Sequence, residues 1–281
     1  MNHVITITKS DGTRQLFEEE KLRTSLARVG APAEAVDEIV EEVEKTMRDG
    51  MSTDEIYRRA FVLLKKHSSH VAVKYSIRRA LMELGPDGFP FEKFVSRVFQ
   101  SWGYTTITDQ TLLGRCISHE VDVVAWNKEK LVMVEAKFHN EFGLRSDSKV
   151  ALYIQARRED LAETMFDYGG IKRKFSEFWL VTNTKFTDQA ITYGECNGLK
   201  MLGWNYPTHE NLHEIIEKNS LHPITCLTTL NHQQKKDLVG RNVITCLDLI
   251  RQPAILDQIG VRGESAEKAI NEARLIIKTQ G

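Results

Sequence analysis

Three residues combine chemistry with spacing: Asp122, Glu135 and Lys137, within a stretch reading EVDVVAWNKEKLVMVEAK at 120–137. Two β-rich runs, 121–126 and 131–137, flank a polar turn at 127–130, which is the pattern of a β-hairpin. If Trp126 faces Leu131, then Val124 faces Met133 and Asp122 faces Glu135. Alternation puts Asp122, Glu135 and Lys137 on one face. Opposed residues hold their Cβ atoms about 4.5–5.5 Å apart, where two like charges repel. A divalent cation bridging both carboxylates relieves that repulsion, and hard oxygen donors suit Mg²⁺ or Mn²⁺. Lys137 is then placed to orient a water or to neutralise an anionic transition state. Three ordinary surface charges are the plainer alternative, and they fit the flanks poorly. Val121, Val123, Val132 and Val134 on one face, with Val124 and Met133 on the other, mark a buried strand pair, where charges need a reason.

The elements that must position these groups are legible on both sides. Gly85-Pro86-Asp87-Gly88 is a concentrated breaker and reads as a domain boundary. A helix follows, carrying Phe91, Phe94, Val95, Val98, Phe99 and Trp102 and closed by Gly103, with Glu92 in its first turn, where the helix dipole favours an acid. A strand at 104–108 leads by a loop to the hairpin. His119 and Glu120 precede Asp122; Glu120 shares its face and is a reserve acid, whereas a lone His119 is more often structural. A polar loop at 138–148 precedes a helix from about 149 to 166 that carries Tyr153, Gln155, Arg157 and Arg158. Lys172-Arg173-Lys174 is the densest basic run, either a solvated turn or a phosphate contact. A strand at 178–182, a helix at 188–196, a strand at 199–203 and a helix at 211–218 complete a mixed sheet with helices on both faces.

The N-terminal stretch is built differently. Residues 4–8 and 14–17 are β-rich around a D-G turn, and helices follow at about 18–29 and across Val36, Ile39, Val40, Val43 and Met47. Gly50 ends the second, and Ser52-Thr53-Asp54-Glu55 reads as a capping box opening a third. A fourth helix, with Val71, Tyr75 and Leu81, finishes near Leu84. Beyond His222-Pro223 come three or four short helices.

At Asp122 and Glu135-Ala136-Lys137 the chain resembles the PD-(D/E)xK nuclease superfamily, with Val121 where the quoted Pro stands. The surrounding text, from about 89 to 215, is similar to its Mrr-type restriction-endonuclease branch. The resemblance implies a DNA endonuclease with Asp122 and Glu135 as metal ligands and Lys137 assisting the attacking water. It implies Glu92 and Gln155 as supporting site residues, and phosphate contacts at Arg157, Arg158 and the Lys172, Arg173, Lys174 run. The hairpin T-K-x-D-G followed by four helices resembles the ATP-cone, the nucleotide-sensing module of ribonucleotide reductases. That likeness covers residues 1–85 and implies ATP or dATP contacts at Lys9, Lys21 and Thr53, with Tyr57 near the same wall. Ser10 departs from the family, which carries a second basic residue there. L-D-Q-I-G-V-R-G, before a final helix, loosely resembles a helix-hairpin-helix unit; a packing or dimerisation module accounts for it equally well.

The fold class expected is therefore a multidomain α+β chain. An ATP-cone at 1–85 precedes a restriction-endonuclease-like core at 89–218 and a small helical domain at 222–281. Two functional readings stand: a Mg²⁺-dependent deoxyribonuclease under ATP or dATP control, suited to restriction or phage defence, and a nucleotide-sensing DNA-binding regulator that does not cleave. The expected partners are DNA, a nucleoside triphosphate and, through a nucleotide-dependent change of assembly, further copies of the chain. The net charge of −1 means that DNA contacts must come from local basic patches. Four scattered cysteines without a CxxC argue against structural zinc and disulfides, and no apolar run spans a membrane. A cytoplasmic protein is expected.

Overall fold

The computed structural model describes residues 5–9, 12–141 and 143–278. Ser10 and Val4 lie outside the described residues.

The N-terminal unit runs β1 (Thr6–Thr8), β2 (Arg14–Leu16), α1 (Glu19–Arg28), α2 (Ala33–Lys45), β3 (Met51–Ser52), α3 (Thr53–His67) and α4 (Ser69–Met82). The expected hairpin pairs β1 with β2, Thr6 opposite Leu16. The sequence reading has no counterpart for β3, a two-residue strand parallel to β1 with Thr8 opposite Ser52. It is too short to leave a period of its own, yet it brings the hairpin against the start of α3. The capping box forms as expected: the Ser52 hydroxyl accepts from Glu55 N, and the Glu55 carboxylate accepts from Ser52 N. Leu22, Leu26, Ile39, Val43, Ile56 and Leu64 fill the core of this unit.

The central unit runs α5 (Phe89–Ser101), β4 (Thr105–Leu113), β5 (Ser118–Trp126), β6 (Leu131–Lys137), β7 (Arg145–Ser146), α6 (Ser148–Leu161), β8 (Phe166–Tyr168), β9 (Ile171–Arg173), β10 (Glu177–Thr182), β11 (Lys185–Phe186), α7 (Asp188–Cys196), β12 (Lys200–Leu202) and α8 (Leu212–Lys218). Five strands form a mixed sheet in the order β12-β10-β6-β5-β4. β10 lies parallel to both β6 and β12, while β4, β5 and β6 are antiparallel neighbours. Phe91, Phe94 and Val98 of α5 pack with Val123, Val132 and Val134 on one face. Ala151, Ile154 and Leu161 of α6 pack with Val124, Leu131 and Met133 on the other. The helix expected to continue to 166 stops at Leu161, and Phe166 instead opens a small β8–β9 hairpin, Phe166 opposite Arg173.

The last segment holds a 3₁₀ turn (Ile224–Cys226), α9 (His232–Gly240), α10 (Cys246–Arg251), α11 (Ile255–Gln258) and α12 (Glu264–Lys278). Among the described residues its apolar side chains join a larger cluster. Leu227, Ile244, Leu249, Leu256 and Ile276 share one apolar cluster with α5 and with Ile77, Leu81 and Leu84. Arg97 of α5 pairs with Asp248 at 3.0 Å, and the Thr225 hydroxyl donates to the Ala80 carbonyl at 2.6 Å. The Gly85-Pro86-Asp87-Gly88 breaker is thus a turn between tightly packed helices. Gly85 is pressed so closely that a Cβ there would meet the Phe138 ring at 2.6 Å.

Candidate functional site

The register expected for the hairpin is the one observed: Trp126 opposite Leu131 and Val124 opposite Met133. The ladder ends at Val123 opposite Val134, one step before Asp122 and Glu135. On its other side β5 pairs with β4 through Thr108–Val123 and Gln110–Val121, skipping the step between them. Asp109 sits at that step with φ +57°, a left-handed conformation uncommon outside glycine. Regular pairing therefore lapses on both flanks of Asp122. The Asp122 carboxylate takes up a vacated ladder position: its Oδ2 accepts from Ala136 N at 2.7 Å. The lapse also corrects the expected alternation, because Val121 packs with Val124 and Met133 rather than with Val123.

Glu135 is held from across the sheet face. Arg157 Nη1 donates to its Oε2 at 2.5 Å and Arg157 Nη2 to the Tyr153 hydroxyl at 2.8 Å, the guanidinium lying 4.4 Å from the Tyr153 ring centre. Each carboxylate thus has one oxygen engaged. Asp122 Oδ1 and Glu135 Oε1 have no hydrogen bond among the described residues. Burial first, and then the neighbouring Asp122, raises Glu135 to about 7 despite the opposing pull of Arg157 and Lys137. Burial likewise raises Asp122, against the Ala136 N–H. Glu92, in the first turn of α5, is raised to about 7 by burial and then by Asp122 and Asp109. Three carboxyls therefore share a site where burial first, and their mutual repulsion second, disfavours the charged forms. Lys137 is exposed at the end of β6, two residues beyond Glu135. Among the described residues no group of three or more His, Cys, Asp or Glu is arranged to hold a metal ion.

Other expected residues stand elsewhere. Gln155 donates to Glu159 at 3.1 Å on the exposed side of α6, so the helix presents Arg157, not Gln155, to the carboxylates. Two positions along a helix are about 200° apart, which is why both cannot face the sheet. Arg157, expected at a phosphate, is buried against Glu135. Arg158, expected there too, donates to the Asn197 carbonyl at 2.5 Å and lies over the Phe178 ring. In the basic run, Arg173 donates to the carbonyls of Asn127 and Lys128 at 2.5 and 3.1 Å, and Lys174 pairs with Glu163. Lys172 is exposed on β9. The Arg173 bonds grip the 127–130 turn, at the opposite end of β6 from Glu135. Five residues of strand separate the two, about 16 Å. His119 is structural: its Nε2 lies 2.8 Å from Asp160 Oδ2, and Asp160 also accepts from the Cys116 and Ile117 amides. Those bonds hold Asp160 well below the usual carboxylate range. Gly114 is required beneath them, since a Cβ would meet Asp160 Oδ2 at 2.3 Å. Glu120 is exposed and adds to the negative field at Asp122.

In the N-terminal unit Lys21, Thr53 and Tyr57 line one cavity of about 250 Å³, with Gln15, Ser25 and Tyr75. The Tyr57 hydroxyl is shielded from solvent with no hydrogen-bond partner among the described residues, and its ring stacks on Tyr75 at 5.0 Å. A buried hydroxyl left unpaired is costly and fits a ligand contact. Lys21 is exposed and paired with Glu18 at 2.7 Å, a bond weak enough to exchange for phosphate. Lys9 does not line the cavity; it follows β1 at the hairpin tip, where its amide donates to the Thr13 carbonyl.

Comparison with known proteins bears on both halves. The ATP cone domain model matches residues 5–83, and the AF1548-like, C-terminal model matches residues 222–277. An uncharacterized protein of Archaeoglobus fulgidus is 32% identical over 184 residues, which span 65% of this chain and 99% of that protein. The chain belongs to the AF1548-like family. A crystal structure of the protein of unknown function AF1548 is 31% identical, with a TM-score of 0.56 over 68% of this chain and 98% of that one. Can2 from Sulfobacillus thermosulfidooxidans, solved in complex with cyclic tetra-adenylate, is 14% identical at a TM-score of 0.31, covering 71% of this chain and 52% of that one. The N-terminal unit of this AF1548-like protein is an ATP cone, which implies a nucleoside triphosphate ligand. The 222–277 segment is matched by the family's own C-terminal model, whereas the helix-hairpin-helix likeness rests on sequence alone. No helix among the described residues is long and apolar enough to cross a membrane.

Proposed function

We propose that the protein is a metal-dependent deoxyribonuclease of the PD-(D/E)xK type whose activity responds to ATP or dATP in the cone. One observation carries the reading: Asp122 and Glu135 meet where pairing of the strands lapses, each keeping one oxygen without a hydrogen bond among the described residues. The element order α5-β4-β5-β6-α6-β10-α7-β12 around them also supports it, being what the Mrr-type resemblance leads one to expect.

The residues suit Mg²⁺ or Mn²⁺. Asp122 and Glu135, each with an oxygen free of hydrogen bonds among the described residues, would hold such an ion, for which one or two carboxylates suffice. When bound, the ion lowers the pKa of water and stabilises charge on phosphate oxygens. The chain's own groups do the rest. Arg157 fixes the Glu135 rotamer, and the Ala136 amide fixes Asp122. Lys137 offers a cation to the phosphorane-like charge, and Glu92, with a pKa near neutrality, can accept or return a proton.

A second reading is favoured by Arg157, which already places a cation on Glu135: a nucleotide-sensing DNA-binding regulator that does not cleave. Incubating the full chain with plasmid, linear and single-stranded DNA, in Mg²⁺ or EDTA and with or without ATP or dATP, separates the two. Mg²⁺-dependent products that vanish in EDTA are expected. DNA binding without cleavage in every condition would instead support the regulator.

A further inference from the structure

Four cations converge where the cone meets the central sheet. β7 and β11 lie parallel with Arg145 opposite Lys185, so both side chains leave the same outward face while Ser146 and Phe186 turn inward. Thr184, next to Lys185, accepts from the Trp204 amide at 2.8 Å, and Arg78 of α4 lies 5.8 Å from the Trp204 ring centre. Lys9 of the cone hairpin is near enough to add to the repulsion at the Lys185 ammonium. Burial, and then Arg78, Arg145 and Lys9, holds the Lys185 ammonium below its ordinary range. Among the described residues, Lys9, Arg145 and Lys185 have no carboxylate within ion-pair distance. Lys9, Arg145 and Lys185, gathered in this way, call for an anion.

The cone cavity is close by. Thr8 pairs with Ser52, which puts Lys9 beside the first residue of α3, and that residue, Thr53, lines the cavity. Arg79, adjacent to Arg78, lies 3.5 Å from Asp54 in the same first turn. A cavity of about 250 Å³ is smaller than the roughly 300–1,000 Å³ of sites that enclose a whole ligand. Only part of a nucleotide fits inside, and a charged tail must leave it.

We propose that Arg145 and Lys185 of the central unit, with Arg78 and Lys9 of the cone, form a shared site for the terminal phosphates of a nucleoside triphosphate whose base and sugar occupy the cone cavity. The proposal rests on the cone binding a nucleotide, and it adds how binding is sensed. Ser146, next to Arg145, bonds His139 Nε2 at 2.9 Å, and Asp147 caps the helix that carries Arg157. Asn183 exchanges hydrogen bonds with the His139 backbone and touches Met82 of α4 at 3.0 Å. His139 is two residues from Lys137. Phosphates drawing α4 and β7 together therefore bear on both ends of the Asp122–Glu135–Lys137 site. A nucleotide shifts that site to the extent that it binds one arrangement better than another.

Calorimetry on the full chain tests this, with ATP, AMP and a short DNA duplex as titrants. Arg145→Ala combined with Lys185→Ala should weaken ATP about tenfold or more, since two charge-assisted contacts go, and leave AMP within about twofold. Lys185→Arg alone should keep ATP affinity, and should the double variant not fold, Lys185→Gln alone should still weaken ATP selectively over AMP. Wild type that binds no ATP at millimolar concentration removes the cone reading and this one together. Wild type that binds ATP, with a double variant that binds it equally well, overturns this inference alone. Equal loss of ATP and AMP would make the cluster a support of the cone, and lost DNA affinity with ATP unchanged would make it a nucleic-acid contact; either result overturns the proposal.

Discussion

Asp122 and Glu135 differ from ordinary strand acids in that each is half satisfied. Removing Asp122 or Glu135 as alanine should abolish Mg²⁺-dependent cleavage while leaving DNA binding within a few-fold, because neither contributes a phosphate contact. Lys137→Ala should lose activity and keep metal binding by calorimetry; full activity in any of the three would end the assignment. The raised carboxyls make a second prediction with a definite sign. Glu92 and Glu135 sit at about 7 when folded and near 4.3 when unfolded, so between those values the native state binds more protons. Their contribution to stability is full below about pH 4 and is lost as pH rises through 7. The metal-free protein should therefore lose stability from pH 5 to 7.5 more steeply than Glu135→Gln, measured by urea unfolding. A bound cation displaces the same protons, so Mg²⁺ should raise the melting temperature more at pH 8 than at pH 6. Equal shifts at the two pH values would show that Mg²⁺ binds elsewhere.

At the scale of elements, the Lys172-Arg173-Lys174 run reads as a clamp. Arg173 ties the β8–β9 hairpin to the carbonyls that open the 127–130 turn, and Trp126 packs on Tyr168 at 5.1 Å beside it. Bonds from a charged donor are worth about 1.5–3 kcal/mol. Arg173→Ala should lower unfolding stability by roughly that amount. It should leave the salt dependence of DNA binding unchanged, whereas a lost phosphate contact would flatten it by about 0.9 log unit. A flattened slope with unaltered stability would return the run to the DNA path.

The whole molecule is organised by α4 and α5: α4 gives Val71 and Ala72 to the cone core and Ile77 and Leu81 to the cluster that joins α5, one face of the sheet and the 222–277 segment. Removing 222–281 would strip the cover from Val98, Leu81 and Leu84 and leave Arg97 without Asp248, a buried partner whose loss alone costs about 3–5 kcal/mol. The 1–221 fragment should bind a hydrophobic dye and melt without cooperativity. A soluble, monodisperse fragment with a sharp thermal transition would show that the segment is an independent domain after all.

What local sequence determined here is whatever depends on short range. The Trp126–Leu131 register follows from alternation and turn length, the Ser52–Glu55 box from four adjacent residues, and the mixed sheet from the order of β-rich and helical periods. The ATP cone was legible for the same reason, since its hairpin and four helices succeed one another along the chain. Tertiary structure decided whatever depends on which face meets which. Arg157 and Gln155 are both polar and two positions apart, and only the rotation of α6 over the sheet turns Arg157 toward Glu135. The two-residue strands β3, β7 and β11 carry no period, so the pairing of Arg145 with Lys185 becomes visible only once distant segments are brought side by side. The C-terminal helices looked self-contained because apolar spacing shows that a face is buried but not against what, and α4 and α5 complete the core that those helices begin.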